Sequence, residues 1–119
     1  MNTGAKDGIG AIIAAFAAQI GGHQQPVALI GRFRVRAGAG HRIQKAFTEA
    51  SVQTAREDGM LAYLLHCETG SPDAFVVYER WRSLEDLEAH LRTSYIAALR
   101  AEIDAVIDGE PSFQVMHPV

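Results

Sequence analysis

The stretch MLAYLLHCETGSPDAFVVYERW, residues 60–81, holds two runs of β-forming residues separated by turn formers. The first run, Met60 to Glu68, reads as a strand. Leu61, Tyr63, Leu65 and Cys67 are expected on one face, and Met60, Ala62, Leu64 and His66 on the other. Both sets are mostly apolar, which predicts a strand covered on both sides. Thr69 to Asp73 has turn composition, and five residues suit a hairpin with a longer loop. The third-strand run, Ala74 to Trp81, alternates Phe75, Val77, Glu79 and Trp81 against Val76, Tyr78 and Arg80.

Outward from this hairpin, periodicity sets the neighbours. Upstream, Val27 to Val35 alternates as a strand, with Leu29, Gly31, Phe33 and Val35 on one face. After the Ala37–Gly40 break, a helix is expected from about His41 to Glu57, lined by Ile43, Ala46, Phe47, Ala50 and Thr54. Asp58-Gly59 stops it. Downstream, Ser83 is a candidate N-cap, with Glu85 and Asp86 in the first turn, where the helix dipole favours acid. Leu84, Leu87 and Leu91 follow at helical spacing. A further helix is expected over Tyr95 to Ile107 and a last strand over about Ser112 to His117.

The order strand, helix, strand, strand, helices, strand is the split β-α-β arrangement of an α+β, ferredoxin-like fold with an antiparallel sheet. Helices would cover one sheet face and leave the other apolar. A second copy of the chain is the simplest cover, so a homodimer, a dimeric α+β barrel, is expected.

The N-terminal region, residues 1–25, stands apart from a domain over residues 26–119. Ile9, Ile12, Ile13, Phe16, Ala17 and Ile20 form one helical stripe, closed by Gly21, Gly22 and Pro26. A secretory leader is a poor match, because Lys6 is offset by Asp7 and no small-x-small cleavage pattern follows Ile20. The helix is therefore expected to pack on the domain or on a partner subunit.

Composition narrows the function classes. The 119 residues carry a net charge of −3, with 48% apolar and 21% charged residues. One domain and no nucleic-acid role follow, since nucleic-acid binders usually show a basic patch. The row Arg32, Arg34 and Arg36 reads as a wet strand face or an anion-facing wall. No run approaches the ~20 apolar residues of a membrane span. The single cysteine, Cys67, allows no internal disulfide, which fits a reducing, cytoplasmic setting. His23, His41, His66, His90 and His117 are scattered without metal-ligand spacing, so no metal is expected.

The segment Phe75-Val76-Val77-Tyr78-Glu79-Arg80-Trp81, followed by Ser83 and then Ala89-His90-Leu91, resembles the core of the antibiotic biosynthesis monooxygenase family. Gly59-Met60-Leu61-Ala62-Tyr63-Leu64-Leu65-His66 is similar to the family's second strand. The resemblance spans about residues 27 to 118. It implies a pocket between sheet and helices, and oxidation of a phenolic or quinol-like small aromatic by dioxygen with no cofactor. Related haem-degrading enzymes use a late axial histidine. The matching place here is Arg100, Leu99 or Ala101, so haem is not expected.

Such chemistry needs a base, a dry pocket and orientation. His90 is the candidate base, with Asp86 or Glu85 as the carboxylate that would orient it. Trp81 is a candidate wall or plain core. Glu79, among apolar neighbours, must be paired, with an arginine across the sheet as the candidate partner, or protonated, and is a second candidate proton acceptor. Tyr95 and Tyr63 are candidate hydrogen-bond donors to a quinone oxygen, and Arg100 a candidate oxyanion partner. Phe33, Phe47 and Met116 are candidate lining. Two rivals stay open: a non-catalytic dimer that binds a small ligand or only assembles, and an isomerase or decarboxylase on the same fold. An enzyme should show His90 beside a cavity next to Trp81. A structural dimer should fill that space with side chains.

Overall fold

The computed structural model describes residues 8–119; the Lys6 and Asp7 weighed against a leader lie outside them. The elements are α1 (Gly8–Ile20), β1 (Val27–Arg34), α2 (Gly40–Thr54), β2 (Met60–Glu68), β3 (Ser71–Trp81), α3 (Leu84–Leu91), α4 (Ser94–Val106) and β4 (Ser112–Met116). The four strands form one antiparallel sheet in the order β2-β3-β1-β4. This is the expected α+β, ferredoxin-like arrangement.

The β2–β3 hairpin is tighter than its composition suggests. Glu68 pairs with Ser71, so the turn is only Thr69-Gly70, with Gly70 at φ 80°. Ser71-Pro72-Asp73, expected in the loop, belongs to β3. The register jumps between Cys67 and Glu68, leaving Pro72, Asp73 and Ala74 without partners on β2. Proline is tolerated at such an irregularity because no ladder N–H is needed there.

A second register shift separates Met60, opposite Trp81, from Ala62, opposite Arg80. Leu61 is the extra residue. Met60 therefore joins the face of Tyr63, while Leu61 stands 52% exposed. This reverses the expected places of Met60 and Leu61, because strict alternation does not survive a bulge.

Asp73 also starts α2. Ala39 at the helix N-cap has no side chain to cap with. Instead the Asp73 carboxylate accepts from the Gly40 and Gly38 amides at 2.8 and 3.2 Å. The close approach needs a glycine at residue 40, since a Cβ there would lie 2.2 Å from the Pro72 carbonyl oxygen. That oxygen is backbone and cannot rotate away. Gly40→Ala is expected to lose about 1–3 kcal/mol by urea denaturation. A loss under about 0.5 kcal/mol would mean that α2 can shift off the hairpin.

All four helices contribute to the core on the face of Trp81, Glu79, Val77 and Phe75. α1 packs on its own domain: Ile13 and Ile20 join Val27, Trp81, Leu84 and Leu87 in one cluster, with Ile9, Phe16 and Ala17 against it. Ile12, expected in the same stripe, lies at its edge and is 44% exposed. On the opposite face, Leu64, Tyr78 and Ile30 stand side by side across β2, β3 and β1. Leu64 is exposed and its two neighbours are half-buried. Within one chain, therefore, β2 is covered on one face only. Among the described residues no helix is long and apolar enough to cross a membrane.

Candidate active site

Four segments meet at the site: β3, α3, the turn after α2 and the start of α4. β3 delivers Glu79 and Trp81 to the same face, two residues apart. Both are buried, and the Trp81 indole Nε1–H donates to Glu79 Oε1 at 3.0 Å. The partner of Glu79 is thus the tryptophan two residues on, and not an arginine across the sheet.

α3 delivers His90. Ser83 caps the helix by accepting from the Asp86 amide at 3.2 Å. Asp86 is occupied by Arg82 at 2.9 and 3.0 Å and by the Ser83 hydroxyl. Glu85 accepts from Gln24. Neither acid reaches the histidine, which corrects the expectation that one of them orients it. His90 is 1% exposed, with its ring 4.4 Å from that of Trp81 and 5.1 Å from that of Tyr63, edge-on.

The carboxylate that does meet His90 is Glu57. The helix expected to reach this residue stops at Thr54, where the chain tightens: the amides of Arg56 and Glu57 bond back only three residues, to Gln53 and Thr54. Three-residue closure rotates Glu57 out of helical register. Its Oε2 lies 2.9 Å from His90 Nδ1 and also accepts from the Tyr95 hydroxyl. Tyr95 is placed by the start of α4, where the Thr93 side chain accepts from the Ile96 amide and donates to the His90 carbonyl. On the other side of the ring, His90 Nε2 is 3.9 Å from Glu79 Oε1.

The result is a chain of polar groups, Tyr95, Glu57, His90, Glu79 and Trp81, set in apolar surroundings. Burial pushes the Glu79 carboxyl up to about 7; the Trp81 N–H opposes this and the Glu57 charge adds to it. Burial lowers His90, against the pull of Glu57. Tyr95 is pushed up to about 12 by burial and by its bond to Glu57. Tyr63 rises further, chiefly from burial, then from the charges of Glu79 and Glu57. The network therefore favours a neutral imidazole beside a carboxyl that exchanges its proton near neutral pH.

The other candidates divide. Phe47 stacks on Tyr63 with centroids 4.7 Å apart. Phe33 stacks on Phe75, in a different core cluster. Arg100 is exposed, and its guanidinium donates to the Leu91 carbonyl. Met116 pairs with Ala28, on the sheet face away from the helices. Two open cavities of about 240 Å³ each flank the cluster. One is walled by Phe47, Leu65 and Phe75, with Cys67 exposed at its rim; the other includes Tyr95 and Leu99. His90 lines neither. Among the described residues no group of three or more His, Cys, Asp or Glu side chains could hold a metal ion.

Sequence reasoning missed Glu57. It sits 33 residues before His90, in a segment read as a helix end. No spacing rule connects the two; the only available signal was a carboxylate just ahead of the Asp58-Gly59 turn that leads into β2.

Comparisons agree with the architecture. The family model described as antibiotic biosynthesis monooxygenase matches residues 26–102. The probable quinol monooxygenase YgiN of Escherichia coli is 31% identical over 80 residues, covering 59% of this chain and 77% of that protein. A solved Mycobacterium tuberculosis structure aligns with TM-score 0.72 and 27% identity, over 80% of this chain and 96% of that one. A Caulobacter crescentus structure, titled a putative antibiotic biosynthesis monooxygenase, aligns with TM-score 0.75 and 23% identity, over 81% and 92%. With the match running through Glu57, Glu79, Trp81, His90 and Tyr95, the chain belongs to the antibiotic biosynthesis monooxygenase family.

Proposed function

We propose that this protein is a cofactor-independent monooxygenase that oxidises a phenolic or quinol-like aromatic with dioxygen. The observation that carries the reading is the buried His90, held between the carboxyls of Glu57 and Glu79 and against the Trp81 ring. The name of the Escherichia coli relative supports the substrate class. Removing a phenol proton makes an anion that can pass electrons to dioxygen. For a quinol, one oxygen atom enters the ring and the other leaves as water; the substrate supplies all the electrons and the product is a hydroxyquinone. The protein's part is to take the phenol proton, orient the ring and keep water out.

His90 is the base in this reading, and Glu79 its proton-sharing neighbour. The substrate enters from the cavity walled by Phe47 and Phe75 and parts the stack of Phe47 on Tyr63. Trp81 forms the apolar floor, while Tyr63 and Tyr95 are the candidate donors to the product oxygen. The working unit in this reading is a homodimer that buries the apolar row Leu64, Tyr78 and Ile30 against its copy; the uncovered sheet face supports it.

Oxygen uptake by metal-free and flavin-free protein, measured on a panel of quinols and polycyclic phenols, tests the proposal. His90→Gln should retain the fold by circular dichroism and lose at least tenfold in rate, or ~1.4 kcal/mol of barrier. Uptake unchanged in that variant would remove His90 from the mechanism.

One observation favours a second reading, a dimer that binds a small ligand or only assembles. The His90 ring is packed by Trp81 and Tyr63, and neither cavity opens onto it. In that case no panel member is turned over, and the polar chain serves the fold alone.

A further inference from the structure

We propose that Glu57 is a positioning residue: its carboxylate, tied to the Tyr95 hydroxyl, fixes the His90 proton on Nδ1 and leaves Nε2 as the basic nitrogen, on the side of Glu79. The role of that nitrogen in turnover rests on the monooxygenase reading; the placement of the proton does not.

The geometry argues this from both ends. An ionised carboxylate only accepts hydrogen bonds. One oxygen of Glu57 meets both His90 Nδ1, at 2.9 Å, and the Tyr95 hydroxyl. The phenol must donate, because its oxygen faces an acceptor. The imidazole must then donate as well, since a bare Nδ1 would set a lone pair against a carboxylate. A neutral ring with its proton on Nδ1 has its lone pair on Nε2. That nitrogen faces Glu79 Oε1 across 3.9 Å. The titratable groups around the ring are few: Glu57 after α2, Tyr63 on β2, Glu79 on β3 and Tyr95 on α4. Of these, only Glu57 is within hydrogen-bond reach of Nδ1.

The same arrangement links the buried ring to the surface. Tyr95 lines the cavity between α2 and α4, so its hydroxyl holds Glu57 from the solvent side while its own helix is capped by Thr93. Carboxylate partners of this kind hold a histidine in one tautomer and orientation, and raise the basicity of the far nitrogen. Glu57 does so here without lining either cavity.

Long-range proton–nitrogen NMR on protein labelled at the histidine ring nitrogens reads the tautomer directly. The His90 signals are those missing from His90→Gln. In the unaltered protein at pH 7.5 (about one unit above the ordinary histidine value), the expected pattern is a protonated Nδ1 and a bare Nε2. The reverse pattern overturns the proposal. Glu57→Gln keeps the size but can donate as well as accept, so it should mix the two tautomers and make the ring harder to protonate. Tyr95→Phe removes the donor that shares the Glu57 oxygen, so it should keep the proton on Nδ1 and make the ring easier to protonate, a shift of opposite sign. His90 signals unchanged in both variants would also overturn it. If Glu57→Gln does not fold, the tautomer of the unaltered protein and the Tyr95→Phe shift decide the matter.

Turnover then separates this proposal from the functional one. With an accepted substrate, Glu57→Gln should lower kcat at least tenfold and displace its pH profile, with KM changed little. A purely structural role would leave the profile in place. A ring that stays protonated on Nδ1 until Glu57 is replaced, in a protein that oxidises nothing, would sink the monooxygenase reading and leave the positioning role standing.

Discussion

Trp81→Ala is expected to cost about 3–5 kcal/mol of folding free energy, measured by urea denaturation at pH 7. The indole is fully buried where α1, α3 and the sheet meet, among Ile13, Ile20, Val27, Leu84 and Leu87. Truncation removes the largest side chain of this cluster and opens a cavity that two helices and a strand would have to move to fill. It also removes the N–H that Glu79 accepts, leaving a buried carboxyl without its donor. Trp81→Phe separates the two losses. It keeps most of the ring, so the cost that remains, about 1–3 kcal/mol, is chiefly that of the missing hydrogen bond. A loss below about 1 kcal/mol in Trp81→Ala would show that α1 slides in to close the gap. The helix would then be a loose cover and not a part of the core.

Trp81 also marks how far the sequence could be read. Its face, its bond-forming distance from Glu79 and the Ser83 cap that follows are all local. A period of two sets the first pair, and a hydroxyl three residues before an acidic residue sets the cap. The split β-α-β fold followed from the same local signals, because helices that cover one face of four strands admit few topologies. What escaped was non-local or sub-local. Glu57 reaches His90 only after α2 and α3 have both docked on the sheet, so no window of sequence contains the pair. The displacement of Leu61 depends on a bulge, and a bulge is decided by cross-strand pairing. Asp73 looked like a turn residue but lies in β3, where its carboxylate caps a helix whose own N-cap is alanine. The filled space around His90 was equally out of reach, since it depends on how Tyr63 and Phe47 stack.

Glu79→Gln is expected to make the protein more stable at pH 8 and to change nothing at pH 4. Burial raises the Glu79 carboxyl from an ordinary 4.5 to about 7. Between these values the folded chain holds a proton that the unfolded chain has released. Stability therefore falls as pH rises through this window, and the penalty is complete above about pH 7. A shift of this size corresponds to about 3 kcal/mol. Glutamine keeps an oxygen for the Trp81 N–H and has no charge to bury, so the variant should recover that amount at pH 8. His90 works in the opposite direction. Its folded value is lowered, so the unfolded chain takes up a proton below about 6.5 that the buried ring refuses, and stability falls on acidification. In the unaltered protein the two slopes partly cancel just below about pH 6.5. In Glu79→Gln the histidine slope stands alone. Urea unfolding of both proteins at pH 4, 6 and 8 reads this as a difference in which the other titrating groups drop out. The same gain at all three values would mean that Glu79 does not titrate in this window. A protein that becomes more stable at pH 8 while losing oxygen uptake would show a buried carboxylate kept at a cost in stability for what it does to a proton. More stable with uptake unchanged would make Glu79 an incidental burden on the Trp81 strand, and His90 would have to act without it.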